Sequence, residues 1–93
     1  MPVRTFVACR VSPGFFTSEY YVVLKDGSAY VVDRDNVRVS QAPEKTSDVD
    51  GKVLAYVVEE GPQGTLIEMP GEPVNGGLRT WVSKDELEYL SAA

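Results

Sequence analysis

Histidine is absent from this sequence. With it go the side chain most used as a general base near neutral pH and the commonest protein metal ligand. Ser–His and Cys–His nucleophiles are thereby excluded. The single cysteine, Cys9, rules out an internal disulfide, whereas secreted domains of this size usually carry several. No apolar run reaches membrane-spanning length, and the opening residues, Met1 to Arg10, are too interrupted to be a signal peptide. These absences predict a soluble, cytoplasmic, non-catalytic protein with no cofactor and no metal. Positive charge is also scarce, with nine Lys and Arg against 14 Asp and Glu, a net charge of -5. Residues 1–39 balance to +1 (five basic, four acidic) and residues 40–93 to -6 (four basic, ten acidic). Nucleic-acid binding needs a dense basic footprint. Only Arg4, Arg10, Arg34 and Arg38 offer the start of one, so such a partner is not expected.

The remaining chemical motifs are fragments. Asp33-Arg-Asp-Asn36 and Asp48-Val-Asp-Gly51 each resemble part of a calcium loop but lack the further oxygen ligands and the closing glutamate. Glu59 and Glu60 are adjacent near a strand end and face opposite ways, so they cannot share a site unless a bulge intervenes. The glycines between residues 61 and 77 connect strands and do not open a helix, which excludes a nucleotide loop of the usual kind. Cys9 lies on the apolar side of an alternating stretch, where a cysteine behaves as a small hydrophobe.

What is present in quantity is strand signal. The 93 residues suit a single domain, 1–93, with room for one modest core. Val3 to Val11 alternates cleanly, placing Val3, Thr5, Val7, Cys9 and Val11 on one side. Further strands are predicted at 20–25, 28–32, 52–58, 65–69 and 78–82, separated by turn residues, with Val37-Arg-Val39 a candidate for one short strand more. Residues 40–51 read as a polar loop, and residues 70–77 as a Pro- and Gly-rich one. Ser83-Lys-Asp-Glu86 fits a capping box and predicts a short helix from Lys84 to about Leu90. The fold class expected is mainly β: one small curved antiparallel sheet or SH3-like barrel of five to six strands with a short C-terminal helix. The closing stretch Arg79-Thr-Trp-Val-Ser-Lys-Asp-Glu-Leu-Glu-Tyr-Leu90 resembles the way SH3-like barrels close, a tryptophan-bearing strand running into a helical turn. That resemblance implies a fold only. The N-terminal half lacks the acidic, aromatic-rich loop of peptide-binding SH3 domains, so proline-rich ligands are not implied.

Tyr20-Tyr-Val-Val-Leu-Lys-Asp-Gly-Ser-Ala-Tyr-Val-Val32 carries the functional expectation. Asp26-Gly27 predicts a two-residue type I′ turn, pairing Lys25 with Ser28, Leu24 with Ala29, Val23 with Tyr30, Val22 with Val31 and Tyr21 with Val32. Both faces of that hairpin are apolar, whereas small antiparallel sheets usually keep one face wet. A second chain is the expected cover, with Tyr21, Val23, Tyr30 and Val32 at a homo-oligomer interface or against another protein partner. The alternative is a small-molecule ligand in an aromatic pocket lined by Phe15, Phe16, Tyr56 and Trp81.

Overall fold

The computed structural model describes residues 3–91. Nine strands form one curled antiparallel sheet. They are β1 Val3–Pro13, β2 Glu19–Leu24, β3 Ala29–Asp33, β4 Val37–Val39, β5 Val49–Gly61, β6 Gly64–Glu68, β7 Glu72–Pro73, β8 Arg79–Val82 and β9 Leu87–Ser91. Neighbours run β7-β3-β2-β1-β5-β6-β8, with β9 also on β1 and β4 also on β5.

The curl comes from two long strands that change partners partway. One edge of β1 pairs with β5, Thr5 opposite Ala55 through Val11 opposite Val49. Its other edge is divided, Val3 to Val7 pairing with β9 and Cys9 to Pro13 with β2. β5 pairs with β4 at Gly51 to Val53, then with β6 from Tyr56 onward, and its register shifts between Val57 and Glu59. An extra residue there bends the strand and increases its twist. The sheet therefore rolls into a half-barrel around a buried cluster that includes Val7, Val11, Val22, Tyr30, Val53 and Ile67.

Polar contacts draw the two ends of the rolled sheet together. Asn75 accepts a hydrogen bond from the Ala29 amide at 2.9 Å and donates to the Gly27 carbonyl at 3.2 Å. The Tyr30 hydroxyl donates to the Gly77 carbonyl at 3.1 Å, and the Thr80 hydroxyl donates to Asp26 at 2.7 Å. The β2–β3 hairpin is thus tied to β8 and to the loop before it.

Three expectations are corrected. The chain has more strands than five or six, because the 70–77 loop contributes β7 to the edge of β3 and the C-terminal segment is extended. The predicted helix is a single 3-10 turn, Lys84–Glu86, followed by β9. The Ser83 amide does donate to the Glu86 carboxylate at 2.9 Å. The chain then extends because Leu87 to Ser91 satisfies an edge of β1 that is otherwise open, while Leu87 packs on the core.

The third correction is the hairpin register. Val23 pairs with Ala29, Val22 with Tyr30, Tyr21 with Val31 and Tyr20 with Val32, one residue out from the type I′ expectation. The Leu24 amide donates to the Ser28 carbonyl at 2.8 Å and the Gly27 amide to the Leu24 carbonyl at 3.0 Å, so the turn holds three residues. Gly27 supplies the positive φ, 92°, that a three-residue loop needs at its last position. Asp26 stabilises this turn by accepting from the Ser28 amide at 2.8 Å. A slip of one residue moves a strand's side chains to the other face. Tyr20, Val22 and Leu24 consequently point into the core with Tyr30 and Val32.

Candidate interaction surface

The four residues expected at one interface are divided between two faces. Tyr30 and Val32 are core residues, exposed by 0% and 1%, while Tyr21 and Val23 lie half-buried on the outer face, with Val31 paired to Tyr21. The four residues expected to line one pocket are also separated. Phe15 and Phe16 stand beyond the Pro13 end of β1, whereas Tyr56 follows Ala55, the partner of Thr5 near its other end. About 25 Å of strand lies between these ends. Trp81 is two strands further on, opposite Leu66 of β6.

The structure nevertheless joins one residue from each expected set. A surface cleft of about 410 Å³ is lined by Ser12, Pro13, Gly14, Phe15, Tyr21, Val31 and Lys45. Phe15 forms one wall of this cleft and is itself 92% exposed; Phe16, beside it, is 70% exposed. The loop is held from below by hydrogen bonds from the Gly14 amide to the Glu19 carbonyl at 3.3 Å and from the Glu19 amide to the Phe16 carbonyl at 3.1 Å. Sequence reasoning missed Val31, which the register correction brings outward, and Lys45, which arrives from the 40–48 loop. That loop is positioned by Arg10, whose guanidinium meets Asp48 at 2.6 Å and Asp50 at 2.5 Å.

Elsewhere on the outer face, charged side chains cover what the sheet leaves apolar. Phe6 points away from the core yet is 3% exposed. The Arg38 guanidinium lies 4.8 Å from its ring centroid, and Glu88, paired across from Phe6 in the β1–β9 ladder, forms an ion pair with Lys52. Long cationic side chains can shield apolar surface in this way while keeping their charge in water. On the other side of the sheet, Arg34 stacks on the core-facing ring of Tyr20 at 4.5 Å. The cationic groups of this region are therefore engaged with carboxylates and rings.

Three carboxyls are held below their ordinary values. The hydrogen bond from Arg10 holds the Asp48 carboxyl below its ordinary value. At Asp26 burial acts upward, but the Ser28 amide and the Thr80 hydroxyl outweigh it and hold the carboxyl low. The Ser83 hydroxyl lowers Asp85. A lowered carboxyl is a weaker base than an ordinary one. Among the described residues no group of three or more Cys, Asp and Glu is placed to hold a metal ion, and no helix is long and apolar enough to cross a membrane. Compared with known proteins, the chain matches no family model, no curated protein and no solved structure.

Proposed function

We propose that this protein is a non-catalytic interaction module that self-associates through the outer face of the β2–β3 hairpin and the adjoining Phe15–Phe16 loop. The observation that carries the proposal is the pair of phenylalanines, exposed by 92% and 70%, beside an apolar cleft walled by Pro13, Tyr21 and Val31. Adjacent exposed aromatic rings on one loop tip are costly to leave in water, and such patches usually mark contacts. A projection and a recess within one patch are also self-complementary. A two-fold axis beside them lets Phe16 of each copy enter the other's cleft, the isologous arrangement favoured by soluble dimers. The interface expected at the hairpin is thereby relocated to Phe15, Phe16, Tyr21, Val23 and Val31.

The finer fold reading accompanies this proposal. In the order β1, β5, β6, β8, a 3-10 turn and β9 returning to β1, the connectivity resembles an SH3-like barrel, with β2, β3 and β4 as an insertion between its first two strands. The insertion carries the proposed interface, and a cytoplasmic setting suits an acidic chain with one buried thiol.

Phe16→Ser is the direct test. It removes the projection from a side chain already outside the core, so thermal stability should change little while dimerisation weakens by at least tenfold in sedimentation equilibrium. A variant that associates as tightly as the parent would rule out this surface.

A further inference from the structure

The wall that Lys45 adds to the Phe15 cleft stands on one support. β4 ends at Val39 and β5 begins at Val49. Between them the chain turns on itself, the Glu44 amide donating to the Ser47 carbonyl at 3.1 Å and the Ser47 amide to the Glu44 carbonyl at 3.2 Å. Lys45 and Thr46 form the tip of this turn. Residues 41–48 are exposed except for the half-buried Pro43, and none belongs to the core. Gln41, Ala42, Glu44 and Ser47 instead line, with Val49, a hollow of about 330 Å³.

Among the described residues, the hydrogen bonds that join 41–48 to the rest of the molecule all come from Arg10. Its guanidinium donates to the Asp48 carboxylate at 2.6 Å and to the Asp48 carbonyl at 3.2 Å. The same group donates to Asp50, its cross-strand partner on β5, at 2.5 Å. One fork thus grips both the loop and the sheet, a stronger arrangement than an isolated surface pair. Both carboxylates are exposed, so dissolved salt screens the grip.

We propose that Arg10 is a positioning residue for the self-association surface, clamping the 40–48 loop so that Lys45 walls the cleft and making association sensitive to ionic strength. The inference rests on the self-association proposed above. Arg10 itself does not line the cleft, whose nearest β1 residue is Ser12. With the clamp closed, the cleft is presented ready-made to a second copy. With it released, the loop must be ordered at the moment of contact, a cost that lowers affinity.

Two readouts test the clamp. The first is trypsin cleavage at the exposed Lys45, followed by mass, in the Phe16→Ser background so that self-association does not shield the loop. Cleavage follows the open population of a native loop, and adding Arg10→Gln should speed it roughly fivefold or more. The second is sedimentation equilibrium of the chain with Phe16 intact. Arg10→Gln should weaken dimerisation roughly fivefold at about 0.01 M salt and approach the parent at about 1 M, where the screening length has fallen tenfold. Asp48→Asn should reproduce the loss and add little in the double variant, because the two side chains act through one contact. Unchanged cleavage overturns the clamp. Faster cleavage with unchanged dimerisation overturns the loop's part in the surface, while a loss in Phe16→Ser leaves the self-association reading standing. A gap between parent and Arg10→Gln that persists at high salt overturns its ionic origin. A parent that is monomeric throughout overturns both readings.

Discussion

Cys9 sits on the inward face of β1, where burial, reinforced by the charge of Asp50, pushes its thiol up to about 12. A thiol at that value is ionised to only about one part in 10⁵ at neutral pH, and the thiolate is the reactive species. The native protein should therefore resist labelling by a disulfide reagent at pH 8 for hours, and react stoichiometrically once unfolded. Rapid native labelling would contradict this placement. The same scale shows what local pattern discloses. The alternation of Val3 to Val11 correctly places Cys9, Val7 and Val11 inside. It also places Phe6 outside, but says nothing of the Arg38 guanidinium that covers it, because Arg38 reaches Phe6 only through the pairing of β4 with β5. Tyr30 illustrates the opposite failure. Its strand was legible, while its face depended on a turn one residue longer than Asp-Gly ordinarily signals.

At the scale of elements, two glycines and one aspartate make the turns testable. Gly27 has φ 92° with open space around it, so Gly27→Ala bears backbone strain alone and should cost about 1 kcal/mol. Gly64 has φ 139°, and a Cβ there would come 2.3 Å from the Val82 carbonyl oxygen. Gly64→Ala should cost at least about 2 kcal/mol, and chemical denaturation of the two variants checks the order. Asp26 links the hairpin turn to Thr80 of β8. Its folded pKa lies below the 3.8 of the free side chain, so the ionised form favours folding. That contribution is complete above the free value and is lost as pH falls through the lowered one. Asp26→Asn should therefore be less stable than the parent at pH 7 and converge toward it in acid, as thermal melts across that range would show. A constant difference at every pH would refute the assignment. The β9 segment marks the limit of reading elements locally. Its capping-box residues were recognisable and Glu86 does reach back to the Ser83 amide. One turn later the open edge of β1 recruits the chain into the sheet, a non-local demand that no capping signal carries.

For the whole molecule, the apolar character of both hairpin faces has two answers. Rolling the sheet places Tyr20, Val22, Leu24, Tyr30 and Val32 in the core, and latching the 74–78 loop onto the hairpin brings the sheet's ends together. Tyr21, Val23 and Val31 remain half-buried on the outside, next to Phe15 and Phe16. The curved antiparallel sheet was legible from strand count and turn chemistry. The assembly of the aromatic surface was not, because it needs the true register of β2 on β3 and the arrival of Lys45 from a distant loop. The proposed self-association pairs this surface with its copy. Light scattering over a dilution series of the unmodified protein, at moderate salt, tests it most directly. Self-association through this surface gives a species of twice the 10.2 kDa chain mass, dissociating smoothly on dilution. A monomer at every concentration would contradict it.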